Sequence, residues 1–246
     1  MSLRAWIVSF TIILLGFTGA AGAEPPRVEL RRAYLEYSSL KRSMAVVEEN
    51  RLLLQSISDI AEARFRTGHG NQQDVLCAQL ETLRLMERQV ELEKRVQAAG
   101  ARIDRLLGRP PGTAVNAPPE TAKRTRLAYS LDQLRKMAAE SSAKRRGGDA
   151  FQYDLERAHA EASTSERLVE LQEKNIIPLA KVALESAFSA YQNGTGDFQT
   201  LREIYLTLTE SRLGLEEALA AYGGAVAEME SLTGVEITKE TVDESK

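Results

Sequence analysis

The chain has 246 residues, of which 43% are hydrophobic and 27% charged, and it contains a single cysteine. This composition supplies enough apolar side chains for a buried core, so a disordered chain and a disulfide scaffold are both poor interpretations. The 32 basic and 35 acidic residues nearly balance. Nucleic acid is therefore not expected as the main partner, because a phosphate-binding surface needs a basic excess.

The first 23 residues have the pattern of a signal peptide. Arg4 precedes an apolar run from Trp6 to Phe17, and residues 21–23 read Ala-Gly-Ala, as at a signal cleavage site. The run is shorter than the ~20 residues that a membrane-spanning helix needs, which disfavours the alternative of a membrane anchor. We therefore expect an exported protein whose mature chain begins at Glu24.

Residues 24–112 have the pattern of a first helical hairpin. Ten positions step alternately by four and three residues, as in a coiled-coil seam, and eight of them are apolar or aromatic: Ala33, Tyr37, Leu40, Met44, Val47, Arg51, Leu54, Ser58, Ala61 and Phe65. A glycine-rich turn follows at residues 67–71. A second seam then ends at residues 108–112, because glycine and proline end helices; its positions are Leu85, Leu92, Val96, Ala99, Ile103 and Leu106.

Residues 113–128 form a predicted linker that contains two prolines, and residues 129–234 form a second predicted hairpin. Ser130 is a candidate N-cap for a short helix, which residues 144–148 are expected to interrupt. A long helix follows, with a kink or break expected just before Pro178, because proline lacks an N–H group. The last helix ends before Gly234, and residues 235–246 are expected to be a frayed polar tail.

The two halves repeat each other at an offset of 126 residues. This offset aligns residues 65–73 with residues 191–199 without a gap and with three identical positions. It also places Gly108 on Gly234, so that the second arms of the two hairpins have the same length. The sequence therefore predicts an all-α protein of long antiparallel coiled-coil hairpins in two tandem repeats, with little or no β-strand.

The turns carry a resemblance to a known family. The run ARFRTGHGNQQDVL at residues 63–76, followed by LLGRPPG at residues 106–112, resembles the first repeat of the TolC-type outer-membrane efflux proteins. The second repeat resembles the same family through IPLA at residues 177–180, AYQNG at residues 190–194 and DFQTL at residues 197–201. The resemblance covers most of the mature chain.

The resemblance implies a fold and a function. Proteins of this family are trimers whose hairpins close into a periplasmic tunnel, and β-barrel strands continue the tunnel through the outer membrane. The resemblance implies passive export, in which the tunnel docks on a periplasmic adaptor protein and an inner-membrane pump. This chain is a shortened example, because no segment has the ~9–11 alternating residues that a membrane strand needs.

The resemblance also implies that the two turns are tips that contact the adaptor. The contact would include ten residues of the turns and of the helix starts after them: Thr67, Gly68, Gly70, Asp74, Val75, Gly194, Gly196, Asp197, Phe198 and Leu201. Alternatively, the turn glycines only end helices, and Asn71 and Asp197 only cap the next ones. Both interpretations can hold together. An exposed Phe198 favours docking, because exposed apolar groups on loops favour an interface.

No motif indicates catalysis, a cofactor or a metal. The two histidines, His69 and His159, have no clustered metal ligands around them in the sequence and are expected to be solvated. Cys77 is expected to be a partly buried structural thiol. No phosphate loop or nucleophile motif is present. We therefore expect a protein that is not an enzyme and has no cofactor.

Two functional hypotheses follow. The first is a periplasmic or outer-membrane component of a multi-protein efflux system. Its hairpins form part of a helical tunnel, and its partners are an adaptor, an inner-membrane pump and either two further copies of itself or a full-length family member. The second is a soluble periplasmic coiled-coil interaction protein without barrel strands, or a truncated paralogue that does not transport. A remnant of a deleted gene is a third possibility. Attachment to the outer membrane distinguishes the first two.

Overall fold

The computed structural model describes residues 27–116, 125–140 and 144–240. The predicted signal peptide at residues 1–23, the two prolines of the linker and residues 241–246 of the tail lie outside the described residues. None of the helices in the described ranges combines the length and the apolar character that crossing a membrane requires.

The described chain is almost entirely helical. The elements are α1 (Arg27–Arg66), α2 (Gln72–Leu106), β1 (Thr125–Leu127), α3 (Leu131–Glu140), α4 (Lys144–Leu171), a π-helical turn (Gln172–Ile176), α5 (Ile177–Gln192), α6 (Phe198–Thr233) and β2 (Thr238–Glu240). α1 has 40 residues, and at a rise of ~1.5 Å per residue it is about 60 Å long. The prediction of an all-α fold built from long antiparallel hairpins is confirmed.

The two hairpins pack side by side along their length. α1 and α2 form the first hairpin, α4 and α5 pair with α6 in the second, and α1 packs against α6 between them. The main hydrophobic core runs along this arrangement and contains the predicted seam residues Leu40, Val47, Leu54 and Ala61. The seam residue nearest the turn, Phe65, differs because its side chain is 46% exposed. Because α1 and α6 pack against each other in the middle, α2 and α4–α5 lie on the two flanks of the molecule.

Local sequence signals fix several helix ends as expected. The side chains of Asn71 and Asp197 each accept a hydrogen bond from a backbone N–H group three residues later, at 2.8 Å. The Ser130 Oγ accepts a hydrogen bond from the Gln133 N–H at 3.4 Å, and the Gln133 Oε1 accepts one from the Ser130 N–H at 2.8 Å. Each bond satisfies an N–H group that the helix itself leaves without a partner.

Pro178 changes the helix without breaking it. The five residues just before α5 form a π-helical turn, in which the Ile177 N–H donates to the Gln172 carbonyl, five residues back instead of four. The widened turn gives room ahead of the proline, whose ring would otherwise collide with the carbonyl four residues earlier. Of the expected kink or break, a break is therefore excluded, and the helix instead changes its hydrogen-bond register just before Pro178.

Two other expectations were wrong. Residues 144–148 do not interrupt a helix, because α4 begins at Lys144 and includes both glycines. Glycine costs a helix only about 1 kcal/mol, which a long helix can offset elsewhere. The tail is also not frayed at its start. Ile237 is fully buried, and β2 pairs antiparallel with β1, with Leu127 opposite Thr238.

A second core closes the end of the molecule far from the turns. Leu134 of α3, Leu155 of α4 and Met229 of α6 are buried in it. α6 is buried on all sides from Tyr222 to residue 227. α1 approaches it there so closely that a Cβ atom at Gly223 would lie 2.9 Å from the Leu35 side chain.

Ion pairs complete this end of the molecule. The Glu228 carboxylate accepts hydrogen bonds from Arg32 of α1 and from Arg157 of α4. The Glu228 side chain is only 15% exposed, so water screens these pairs less than it screens pairs on the open surface. Ion pairs thus join α1, α4 and α6 here in addition to their packing.

Replacing Leu155 by Ala tests the second core. The change leaves a cavity among α3, α4 and α6, and we expect the free energy of unfolding to fall by about 2–5 kcal/mol. Urea unfolding followed by circular dichroism measures it. Tyr153→Ala is the matched control on the same helix, because the Tyr153 side chain is 74% exposed. Equal effects of the two changes would contradict this description of the core.

Candidate functional site

The two hairpin turns have the same backbone geometry. In the first, the Gly68 N–H donates to the Phe65 carbonyl at 3.0 Å and the His69 N–H donates to the Arg64 carbonyl at 2.9 Å. In the second, the corresponding bonds run from Gly194 to Tyr191 and from Thr195 to Ala190, at 3.1 and 2.9 Å. This pair of bonds is the Schellman ending of a helix.

The glycines of the turns are required for two different physical reasons. Gly68 and Gly194 have φ angles of 76° and 78°, in the left-handed region that glycine adopts without strain. Gly70 and Gly196 have no such φ angle. A Cβ atom at either position would lie 2.9 Å from the Cβ of the residue six positions earlier. The turn thus folds back onto its own helix at a point where only hydrogen fits.

Arg64 ties the two turns together at one end of the molecule. Its Nη1 donates to the Tyr191 carbonyl of the second turn at 2.7 Å, and its Nη2 donates to the His69 carbonyl of the first turn at 2.8 Å. The guanidinium also lies over the Tyr191 ring, 4.9 Å from its centroid, in a cation–π contact. Both turns therefore lie side by side.

Tyr191 completes the connection. Its hydroxyl donates to the Asp74 carboxylate at 3.0 Å, and its ring meets the Phe198 ring edge to face, with centroids 5.7 Å apart. The Tyr191 side chain is only 1% exposed. We call Arg64, Asp74, Tyr191 and Phe198 the tip joint, because they join the first hairpin to the second at the turns.

A buried carboxylate extends the contact between the hairpins away from the turns. Glu81 of α2 is 5% exposed and pairs with Arg84 of α2 and Arg202 of α6, at 2.8 and 2.6 Å. A buried carboxylate needs such partners, because desolvation otherwise penalises its charge. Two guanidinium groups therefore hold Glu81 at the boundary between the hairpins.

Burial and hydrogen bonding shift several pKa values near the tips. Burial raises the pKa of Tyr191 well above its ordinary range, and the bond to the Asp74 carboxylate raises it further. Burial likewise raises the pKa of Tyr205 to about 12. The Thr200 backbone N–H and hydroxyl, which both donate to the Asp197 carboxylate, lower the pKa of Asp197. Asp197 thus stays charged as a helix cap.

The predicted site residues fall into three groups by burial. Thr67, Gly68, Gly194 and Asp197 are exposed, while Gly70, Gly196 and Asp74 are half-buried. Val75, Phe198 and Leu201 belong to the hydrophobic core.

The expectation of an exposed Phe198 was wrong. Its side chain is 3% exposed and packs against Tyr191. Phe198 is the first residue of α6, and the seam of that helix faces α1 from its first turn. Its apolar character is therefore explained by packing and no longer supports docking.

The sequence reasoning missed Arg64, Tyr191 and the exposure of Phe65. An aromatic residue occurs at the same place before both turns, which was a signal that this position has a structural role. No such signal marked Arg64, because its counterpart at the offset of 126 residues is Ala190. The contact it makes spans 127 positions and is visible only in the folded chain.

Exposed apolar side chains follow both flanks of the molecule. The α2 stripe has five residues that are 51–65% exposed: Leu76, Leu80, Leu83, Met86 and Val90. The α4–α5 stripe has four residues that are 46–72% exposed: Leu168, Leu171, Leu179 and Val182. Apolar side chains that recur at helical spacing on an open face indicate a surface that is covered in an assembly.

Comparison with solved structures shows which proteins share this fold. The outer-membrane channel OprN matches with a TM-score of 0.60 and 14% identity over 84% of this chain and 65% of that protein. The outer membrane protein VceC from Vibrio cholerae matches with a TM-score of 0.60 and 12% identity over 84% of this chain and 69% of that protein. A membrane protein from Pseudomonas aeruginosa matches with a TM-score of 0.57 and 12% identity.

These likenesses establish the fold class. The chain has the helical fold of outer-membrane channel proteins, and it spans about two thirds of the length of those it matches. Neither the family models nor the curated protein sequences match it. The fold is thus shared where the sequence has diverged.

Replacing Tyr191 by Phe tests the tip joint. The change removes the hydrogen bond to Asp74 and keeps the ring contacts. We expect the free energy of unfolding to fall by roughly 1–2 kcal/mol, because the acceptor is charged and partly buried. Urea unfolding measures it, and Tyr153→Phe, at an exposed position, is the control and should unfold like the unchanged chain. Identical midpoints for all three proteins would show that the bond contributes nothing.

The raised pKa values of Tyr191 and Tyr205 predict a loss of stability at alkaline pH. Well below pH 10, the ordinary pKa of tyrosine, both hydroxyls keep their protons in the folded and unfolded states. As the pH rises from 10 towards 12, the unfolded chain releases protons that the folded chain retains, so the free energy of unfolding falls. We expect a smaller fall when both residues are replaced by Phe, measured by urea unfolding across this range. An unchanged fall would contradict the assignment.

Proposed function

We propose that this chain is a component of the helical conduit of an outer-membrane efflux system. The observation that carries the proposal is the pair of equivalent turns, side by side at one end of rods about 60 Å long. Such an arrangement presents two hairpin tips to a single partner, and the shared fold with outer-membrane channel proteins supports the same interpretation. The chain itself would be passive, and energy would come from an inner-membrane pump.

The tips suit a close contact with another protein backbone. Thr67, Gly68, Gly194 and Asp197 are exposed, and the glycines present no side chain that would hold a partner away. We propose that a periplasmic adaptor docks on these residues together with Gly70 and Gly196, while Val75, Phe198 and Leu201 support the turns from inside. The proposed docking surface is thus smaller and more polar than the sequence alone suggested.

The flanks suggest how a conduit forms. The α2 stripe and the α4–α5 stripe lie on opposite sides of the molecule, so copies can associate head to tail, and such an association closes into a ring when the rotation between copies permits it. We propose a ring of three copies, as the family resemblance implies. The assembly would lie in the periplasm and attach to the outer membrane.

Photo-crosslinking in intact cells tests docking at the tips. With p-benzoylphenylalanine in place of Thr67, we expect an adduct with a periplasmic adaptor protein, identified by mass spectrometry. Thr207 is the matched control position. Both threonines are exposed, and both hydroxyls donate to the carbonyl four residues earlier, at 3.0 and 2.9 Å. Thr207 lies further along α6, away from the turn, and no adaptor adduct is expected there.

Two results would contradict docking at the tips. One is the absence of an adaptor adduct at position 67 in cells that contain the mature protein. The other is the same adduct at positions 67 and 207, which would show that the partner contacts the helix shafts without preference for the turns.

A further inference from the structure

Phe65 is exposed at a position where its counterpart is buried. The two turns align at the offset of 126 residues and share their hydrogen bonds, so Phe65 in the first hairpin corresponds to Tyr191 in the second. Phe65 is 46% exposed and Tyr191 only 1%. The same place in the same turn therefore has an aromatic ring covered in one hairpin and open in the other.

Part of the cover on Tyr191 comes from the other hairpin. Arg64 lies over the ring and Asp74 binds the hydroxyl, and both residues belong to the first hairpin. The offset maps these two residues to Ala190 and Thr200 of the second hairpin. Suppose that the second hairpin of another copy packs beside the first hairpin of this copy in the same way as the two hairpins pack within one chain. Ala190 and Thr200 of the other copy will then face Phe65.

The exposed stripes support the same placement along the helices. The offset maps α2 onto α6, which is covered by α1 within the chain, and it maps α5 onto the tip half of α1. The flank helices α2 and α5 thus correspond to α6 and α1, which pack against each other where the two hairpins of one chain meet. Their stripes consist of apolar side chains, which is what a second contact of this kind requires.

We infer that Phe65 is the tip residue of the contact between copies of this chain, packed against Ala190 and Thr200 of a second copy as Tyr191 packs against Arg64 and Asp74. This inference rests on the proposed ring of copies and adds how the copies meet. The contact between copies lacks the cation–π contact and the hydrogen bonds of the tip joint, because phenylalanine has no hydroxyl, alanine no guanidinium and threonine no carboxylate.

A functional consequence follows from this difference. The two tips of one chain are held together by a cation–π contact and two hydrogen bonds, one from Arg64 and one from Tyr191. The tips of neighbouring copies have no counterparts of these bonds. In the proposed ring, the joint between copies is therefore weaker at the tips than the joint within each chain.

Photo-crosslinking with mixed isotopes tests the contact. p-Benzoylphenylalanine replaces Phe65 in the full chain, and light and heavy proteins are mixed and allowed to assemble. We expect light–heavy adducts that join position 65 to residues 190–201 of another copy. The matched control carries the same group in place of Tyr191 and should give adducts only within one chain, on the first hairpin.

Three results would overturn the inference: a protein that is only monomeric, an adduct from position 65 within its own chain, and an adduct on the first hairpin of another copy. The adaptor adduct at position 67 is measured separately. Its presence together with a failed adduct from position 65 overturns this inference and leaves the proposed function intact. The reverse result overturns only adaptor docking.

A second experiment moves the polar contact to the joint between copies. Phe65→Tyr, Asp197→Asn and Thr200→Asp together reproduce the residues found at Tyr191, Asn71 and Asp74. The new hydroxyl can then bind the new carboxylate across copies, and we expect subunit exchange, measured by fluorescence transfer, to slow roughly tenfold. Phe65→Tyr alone is the control and should exchange like the unchanged protein. An unchanged rate in the triple variant would show that the two joints differ in geometry.

Discussion

Arg64 joins the two turns, because its guanidinium donates to a carbonyl oxygen of each turn and lies over the Tyr191 ring. Tyr191 then closes the connection through Asp74, at the first turn of α2. Without this joint the hairpins would still pack along their seams, but the relative position of their tips would depend on the distant helix shafts.

Charge and apolar contact are distributed unequally over the helices. Ion pairs join α1 to α6 at the inner contact, where Arg42 meets Glu216 and Arg212 meets Glu49. The outer flanks carry the exposed apolar stripes. Ion pairs fix the register of two helices because each charge needs a particular partner, whereas apolar side chains tolerate small displacements. In the proposed ring of copies, the contacts between chains would therefore adapt more readily than the contact between the two hairpins of one chain.

The tips combine a rigid interior with a small surface. Phe198, Leu201 and Val75 fill the space behind the turns, and the exposed residues of the turns include Gly68, Gly194 and short polar side chains. A partner that docks there meets backbone groups held in place by packing, so little conformational entropy is lost on binding. Each turn also needs two glycines, for two structural reasons. One glycine permits the left-handed φ angle and the other permits the close return of the chain.

The sequence by itself determined the helices, their caps, the turn glycines and the all-α class, because each of these depends on contacts within a few positions along the chain. Only the tertiary structure decided which apolar residues are covered. Phe198 is buried and Phe65 is exposed because their neighbours in the folded chain differ. Arg64 donates to the carbonyl of Tyr191, 127 positions away, and the second half of the chain has alanine at the position that corresponds to Arg64. The pairing of β1 with β2 likewise depends on neighbours in space. Local patterns record the period and the ends of a helix, whereas the environment of each face exists only once the chain has folded.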